Sequence, residues 1–215
     1  MSQAPGTGRV YNEVAGTSLF RLTAISDGIF AVGMTLLVLG LAVPAVEAVK
    51  TEGDLARQLG DLLPAIVTYF MSFLTLGIFW VGQQTQLSEV LRANRAYTWI
   101  HLAFLLSVTL VPFSTQLLAR FHWSRIALLV YWLNIMVMGT VLLIGAEYAG
   151  RAGLFPKEAA PRLLRLVRRR VYGAQGLYFA GLLLSVIDTH WSIGFIVAIQ
   201  LNFVFAPPIP FLRSI

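Results

Sequence analysis

The chain contains no cysteine and few charged residues, and these two absences exclude several classes of protein. Charged residues make up 12% of the sequence, whereas a soluble domain carries about 25%. Without cysteine, neither a disulfide nor a thiolate metal site can form, and redox chemistry says nothing about the compartment. Hydrophobic residues make up 57% of the chain, and the mean hydropathy is +0.74. This composition predicts an integral membrane protein.

Catalytic and cofactor motifs are also absent from the sequence. It has no nucleophile elbow, no phosphate-binding loop and no glycine-rich dinucleotide turn, and its apolar segments hold no paired carboxylates. Its histidines lack the spacing of a metal site. We therefore expect no enzyme activity, no cofactor and no bound metal. The potassium-filter sequence TVGYG is missing as well, so a channel built from this chain needs a filter of helix side chains.

Six apolar segments predict an all-α polytopic membrane protein, because a transmembrane helix needs roughly 20 apolar residues. A polar tail at 1–17 precedes a six-helix transmembrane domain at 18–215. The tail lacks the pattern of a cleaved signal peptide, so the first helix is expected to be retained. The link at 44–61 is expected to become helical before the second span. The predicted spans cover about residues 18–43, 62–87, 97–119, 126–148, 171–187 and 193–212.

The basic residues predict the orientation. Twelve Lys and Arg residues flank one side of the predicted spans, and four flank the other, namely Lys50, Arg57, Arg120 and Arg125. The positive-inside rule then places both termini in the cytoplasm. The net charge of +6 does not indicate nucleic acid, because the basic residues lie between apolar segments.

A run of arginines precedes the fifth predicted span. Arg162, Arg165 and Arg168 have the every-third spacing of a voltage-sensor helix. Such a sensor needs arginines that continue through the bilayer, but the run ends at Arg170 and residues 171–187 carry no charge. The pattern favours a basic collar, Arg162–Arg170, that binds anionic lipid headgroups.

Polar residues of the first three spans are predicted to lie at one depth near the cytoplasm. An unpaired polar group is costly in hydrocarbon, so these side chains should find one another. We interpret them as a structural clasp on the first helix, in which Arg21 and Asp27 offset each other's charge. A proton relay through Asp27 and His101 is the alternative. The clasp residues are Arg21, Ser26, Asp27, Trp80, Gln83 and His101.

One face of the first helix carries small and medium-sized side chains. At about 3.6 residues per turn, Thr35, Leu36 and Leu39 fall near Val32, and Gly28 extends the same stripe. Ordinary helix packing and a pore surface both fit this pattern, and periodicity does not separate them.

The start of this helix resembles a known family. Arg21-x-x-x-Ile25-Ser26-Asp27-Gly28 is similar to the RxxxFSD signature that opens the first helix of transmembrane-protein-175-type potassium channels. The resemblance continues through FAVGMTLLVL, SFLTLGIFWVG and LVPFSTQLL, and covers most of residues 18–120.

The resemblance implies a homotetramer of six-helix chains without a re-entrant filter loop, whose first helices line a central pore. It also implies that Val32 forms the constriction, with further apolar rings at Leu36 and Leu39. Thr35 is implied to set potassium selectivity, with transient K⁺ near its hydroxyl group.

In the family, a Trp, a His and an Asn hold the signature Arg, Ser and Asp. Here Gln83 stands where the His is expected and His101 where the Asn is expected, so the imidazole and the amide have exchanged helices. The pH response of the clasp therefore stays open.

The sequence thus predicts a potassium-selective cation channel of the bacterial cell membrane, gated at an apolar constriction. Two alternatives remain: a proton-coupled transporter or proton leak that uses Asp27 and His101, and a non-conducting assembly protein. Neither the gating stimulus nor the selectivity ratio follows from the residues.

Overall fold

The computed structural model describes residues 18–205, and this part of the chain is helical without any strand. The predicted tail at 1–17 and the end of the sixth predicted span, 206–212, lie outside the described residues. Short 3₁₀ helices follow the first helix at Val38–Gly40 and Val46–Ala48. The α-helices are α1 Leu19–Leu37, α2 Glu52–Asp61, α3 Leu63–Ser88, α4 Arg95–Thr109, α5 Val111–Arg120, α6 Arg125–Arg151, α7 Ala160–Leu184 and α8 Thr189–Phe205.

Four helical stretches within residues 18–205 are long and apolar enough to cross a membrane. They are Leu19–Gly40, Leu63–Ser88, Arg95–Arg120 and Arg125–Arg151, and they coincide with the first four predicted spans. The helices α7 and α8 lie where the fifth and sixth spans are predicted, but α7 begins with a basic segment and α8 has 17 residues. An all-helical integral membrane protein is thus confirmed, and the count of six spans stays a prediction.

The third predicted span is not one continuous helix. Its first part, α4, ends at Thr109, Leu110 separates the two parts, and Pro112 lies in the first turn of α5. Proline lacks a backbone N–H and its ring collides with the carbonyl group four residues earlier. The break is therefore encoded locally by Pro112.

Other helix boundaries also differ from the predicted ones. Helix α7 begins at Ala160 instead of residue 171, because Pro161 is tolerated in a first turn and arginine favours helix. Helix α1 ends at Leu37, and its last predicted turn is 3₁₀ as far as Gly40.

The polar link at 44–61 becomes helical before α3, as the sequence predicts. Its helix, α2, starts with a capping box. The Thr51 hydroxyl group accepts a hydrogen bond from the Asp54 N–H at 3.1 Å, and the Asp54 carboxylate accepts one from the Thr51 N–H at 3.0 Å. The Thr51 hydroxyl group also donates to the Asp54 carboxylate at 2.9 Å, and this bond, followed by those from the backbone N–H groups of Lys50 and Thr51, lowers the pKa of Asp54.

Helix α1 packs against α3, α4 and α5, while α6 packs against α4, α5 and α7. The buried stripe of α1 includes Phe30 and Leu37, which join a cluster with Leu76 of α3 and Phe104 of α4. Because lipid is as apolar as these side chains, close van der Waals packing holds the helices together more than the hydrophobic effect does. This packing fixes which face of α1 remains uncovered.

Candidate pore helix and its polar anchor

The buried side of α1 is joined to α3 and α4 by hydrogen bonds. Ser26 is fully buried, and its Oγ lies 2.7 Å from His101 Nε2 of α4. The Gln83 amide group of α3 lies 3.4 Å from the same Oγ and 3.3 Å from His101 Nε2. Three helices therefore meet at one hydroxyl group.

A neutral imidazole with one ring proton is enough to form the hydrogen bonds of this cluster. Ser26 Oγ also lies 2.7 Å from the Leu22 carbonyl oxygen, and a hydroxyl group has a single proton to donate. With its proton on Nε2, His101 donates to Ser26, Ser26 donates to Leu22, and the Gln83 amide donates to Ser26. In this arrangement each of these hydrogen bonds has one donor and one acceptor, and Gln83 Oε1 lacks a partner.

Asp27 makes a separate set of contacts on the neighbouring face. Its Oδ1 accepts hydrogen bonds from Trp80 Nε1 at 2.9 Å and from Gln84 Nε2 at 2.5 Å. Within residues 18–205, the structure shows neither an ion pair between Asp27 and Arg21 nor a hydrogen bond between Asp27 and His101. Residues six apart on a helix lie about 120° apart around its axis and about 9 Å apart along it, so Arg21 and Asp27 point in different directions. Gln84, which the sequence analysis did not include in the clasp, takes that place.

The residues predicted to line a pore are all exposed, on α1 or, for Leu39, on the 3₁₀ helix that follows it. Val32 is 57% exposed, Leu36 is 42% exposed and Leu39 is 71% exposed, and Thr35 and Gly28 are exposed as well. Side chains of this size are rarely left uncovered in one continuous stripe unless lipid, a second chain or a pore lies beside them. At about 100° per residue, Ser26 lies about 180° from Thr35 around the helix, about 120° from Val32 and about 80° from Leu36, so the polar contacts and most of the stripe lie on different sides of α1.

The Thr35 hydroxyl group is oriented by its own helix. Its Oγ1 donates to the Val32 carbonyl oxygen at 2.9 Å, which uses the single proton. The oxygen lone pairs remain free to accept. The arrangement presents an oxygen dipole on an otherwise apolar face.

A groove of about 320 Å³ runs beside this stripe. It is formed by α1 residues that include Ile29 and Gly33, together with Thr109 and Pro112 at the break between α4 and α5. The break between α4 and α5 therefore borders this groove.

The arginines of the predicted collar all lie on α7. Arg162, Arg165 and Arg170 are exposed. Arg168 makes a two-pronged ion pair with Glu147 of α6, donating from Nη2 to Oε2 at 2.7 Å and from Nε to Oε1. This pair fixes the basic segment to the neighbouring helix.

Two groups of contacts were not predicted from the sequence. Thr75 of α3 lies 3.0 Å from the Tyr131 hydroxyl of α6 and accepts from Gln200 of α8 at 2.6 Å, and all three side chains are buried. His122 lies in the turn between α5 and α6, His190 lies in the first turn of α8, and their rings are 5.6 Å apart. A Thr or Gln inside an apolar run is the signal for the first group, but sequence spacing cannot show which helices meet.

These features define a class before any relative is considered: a polytopic helical membrane protein with a polar-anchored first helix whose opposite face is uncovered. The model of the family "Endosomal/lysosomal potassium channel TMEM175" matches residues 21–112. A potassium channel of Chamaesiphon minutus is 33% identical over 187 residues, which cover 83% of this chain and 91% of the relative. The chain belongs to the TMEM175 family, as its first helix predicts.

A solved structure and an animal protein are also similar to this chain. A solved structure, the crystal structure of a lysosomal potassium-selective channel TMEM175 homolog from Chamaesiphon minutus, has a TM-score of 0.75 and 28% identity, and the match covers 87% of this chain and 97% of that one. The endosomal/lysosomal proton channel TMEM175 of Bos taurus is 31% identical over 106 residues, which cover 47% of this chain and 22% of that protein. The family is one of ion channels, so the prediction that the chain is not an enzyme is confirmed.

Proposed function

We propose that this chain forms a potassium-permeable cation channel, as a homotetramer in which four copies of α1 surround the pore. The uncovered stripe of α1 carries the proposal, because it places one oriented hydroxyl group, Thr35, between apolar residues. Cyclic symmetry would bring the four stripes to one axis. The names of the Chamaesiphon minutus relative and of the solved structure support potassium as the ion.

In this proposal the conducting path is apolar and narrow. Val32, Leu36 and Leu39 would form successive rings that close by losing water and open by small rotations of α1. Four Thr35 oxygens would replace part of the hydration shell of a potassium ion. The groove along Ile29, Gly33 and Pro112 would receive a neighbouring copy of α1.

The polar contacts opposite the stripe would set the rotation of α1. Ser26 is bonded to α3 and α4, and Asp27 is bonded to α3 at two donors. Because both bonded residues lie about 100° apart around the helix, together they oppose rotation as well as displacement. We assign them to the architecture of the pore and not to the path of the ion.

Six spans, cytoplasmic termini and a bacterial cell membrane complete the proposal. The excess of basic residues on one side supports this orientation. The collar Arg162–Arg170 would contact anionic headgroups at the cytoplasmic surface.

The test is ion flux in liposomes that contain the purified protein. We expect potassium flux to exceed sodium flux, and Thr35→Ala to reduce this preference while the tetramer persists on size-exclusion chromatography. Thr140→Ala is the matched control, because Thr140 is an exposed threonine of α6 that does not line the groove beside α1. Absence of potassium flux, or equal passage of sodium by the wild type, contradicts the proposal. Unchanged selectivity in Thr35→Ala removes the role of Thr35 alone.

Proton conduction is the second candidate function. The name of the Bos taurus relative favours it. His101 is a buried imidazole that is hydrogen-bonded to Ser26, the residue before Asp27. A proton gradient across the same liposomes separates the two candidates, since a proton path acidifies the lumen without potassium. A non-conducting assembly protein would show neither flux.

A further inference from the structure

A cavity of about 370 Å³ lies between α3 and α7, and none of its lining residues belongs to α1. This volume is within the range of small-molecule sites. One part of its wall is apolar and includes Phe79, Leu142, Ala174 and Phe203. The other part includes Gln86, Glu89, Arg169 and Arg170. The lining is therefore amphipathic, like a membrane lipid.

Two guanidinium groups at the cavity are available to an anion. Arg169 and Arg170 are exposed, and neither forms an ion pair among residues 18–205, whereas the preceding Arg168 is held by Glu147. Glu89 also lines the cavity and contributes one negative charge. Two cations against one anion leave a net positive charge at this end.

The cavity wall also contains unpaired acceptors. Gln86 is 7% exposed, and its Oε1 has no hydrogen-bond partner. Gln175 donates to the Ile135 carbonyl oxygen at 3.2 Å, and its Oε1 has no partner either. Buried polar atoms are normally hydrogen-bonded, and an orphan calls for a missing donor. A ligand that carries a hydroxyl group would supply one.

We infer that this cavity binds one anionic glycerophospholipid of the phosphatidylglycerol type. Its phosphate would contact Arg169 and Arg170, its headgroup hydroxyls would donate toward Gln86, and an acyl chain would lie against Phe79 and Leu142. Basic pockets between membrane helices on the cytoplasmic side suit such headgroups. The inference goes beyond the proposed channel function and does not depend on conduction. It also differs from the collar, which would attract every anionic lipid without selecting a position.

The first experiment compares two double substitutions of equal charge on one helix. Native mass spectrometry of the purified protein measures binding of phosphatidylglycerol and of phosphatidylcholine with the same acyl chains. We expect Arg169→Gln with Arg170→Gln to weaken phosphatidylglycerol binding on the order of tenfold. Arg162→Gln with Arg165→Gln is the control, because both residues are exposed on α7 and lie outside the cavity lining. Equal losses in both variants overturn the inference and leave only a diffuse collar.

The second experiment fills the cavity. Gly82 lines it, and a Cβ atom added there meets nothing within 4 Å, so Gly82→Leu should occupy the space without displacing the backbone. Gly77→Leu is the matched control on α3, since Gly77 is also free of close neighbours and does not line the cavity.

We expect Gly82→Leu to weaken binding of both lipids and Gly77→Leu to leave it unchanged, with equal thermal stability checked for both variants. Unchanged binding in Gly82→Leu contradicts the inference. So does a wild-type protein that binds phosphatidylcholine as tightly as phosphatidylglycerol, or crosslinking that finds a neighbouring subunit or residues 206–215 in the cavity.

Discussion

Ser26 of α1 and His101 of α4 form a buried hydrogen bond of 2.7 Å between Oγ and Nε2. The bond joins residues 75 positions apart in the chain, and the Gln83 amide of α3 completes it. Around α1, Ser26 lies about 180° from Thr35 and about 120° from Val32, so the bond and the exposed stripe are on different sides of the helix. The rotation of α1 in the bundle therefore depends on this bond, and any surface presented by the stripe depends on that rotation.

Ser26→Ala is expected to destabilise the protein. The substitution leaves His101 Nε2 and the Gln83 amide without their acceptor, and a buried donor left unpaired costs about 1–3 kcal/mol. Thermal unfolding in detergent measures the effect. Ser88→Ala is the control, because Ser88 is an exposed serine of α3 whose hydroxyl bonds only to its own helix. Equal unfolding temperatures for both variants would show that the Ser26 contact does not hold α1.

Asp27→Asn separates an architectural role from proton transfer. An asparagine keeps Oδ1 as an acceptor for Trp80 and Gln84, so folding and potassium flux should be retained within about threefold if the role is architectural. Asp27→Leu removes the acceptor and should impair assembly. A pH-sensitive dye inside liposomes gives the decisive reading. Loss of proton flux in Asp27→Asn, with assembly intact, would favour the relay.

Val32→Asn is expected to raise basal ion flux. A polar side chain at an apolar constriction favours water there and lowers the barrier that dewetting imposes. Liposome flux of potassium and sodium measures the change. Val137→Asn serves as the control, since Val137 is an exposed valine of similar exposure on α6. If both substitutions act alike, the stripe around Val32 faces lipid and not a pore.

Thr75→Val is expected to destabilise the bundle more than Gln200→Leu does. Thr75 Oγ1 contacts Tyr131 of α6 and Gln200 of α8, so valine removes bonds to two helices. Interhelical hydrogen bonds in membranes average about 0.6 kcal/mol each. Gln200→Leu also removes bonds, but it eliminates the unpaired Gln200 Oε1. Thermal unfolding of both variants in one detergent measures their relative stability. A lower unfolding temperature for Gln200→Leu than for Thr75→Val would contradict the prediction.

The turn at Asp188 is expected to loosen at acidic pH. The His190 backbone N–H, followed by its imidazole, lowers the pKa of Asp188 from its ordinary value of 3.8. A carboxylate whose folded pKa is depressed stabilises the fold above its unfolded pKa and loses that contribution as pH falls through the folded value. The protection factors of residues 185–192, which correct for the intrinsic pH dependence of hydrogen exchange, should therefore fall below pH 3.8. Asp188→Asn should abolish the pH dependence, and a wild type without it would refute the assignment.

The order and type of most elements could be predicted from the residues. Apolar length predicts the first four spans, and polar composition predicts the link that contains α2. The break at Pro112 and the early start of α7 at Ala160 were missed, although proline position encodes both locally. Those predictions relied on the length of the apolar segments, which does not show where a helix breaks or how far it extends into a polar flank.

Local sequence also identified most residues of the polar anchor but not their partners. Ser26, Asp27, Trp80, Gln83 and His101 were grouped because each is polar near the end of an apolar helix. The predicted pairing of Asp27 with Arg21 was wrong, because the structure places Asp27 beside Trp80 and Gln84. Which donors reach a carboxylate depends on how α1 and α3 are rotated, and no spacing within one helix contains that angle.

The sequence by itself determined the membrane class, through its apolar composition, and the family, through the signature that begins at Arg21. It also determined which side chains share a face of α1, because helical periodicity is a local property. Only the tertiary structure decided that this face is uncovered while Ser26 is buried, that Thr75 meets Tyr131 and Gln200, and that a cavity separates α3 from α7. Those relationships arise from packing between segments distant in the chain, whose geometry the local sequence does not specify.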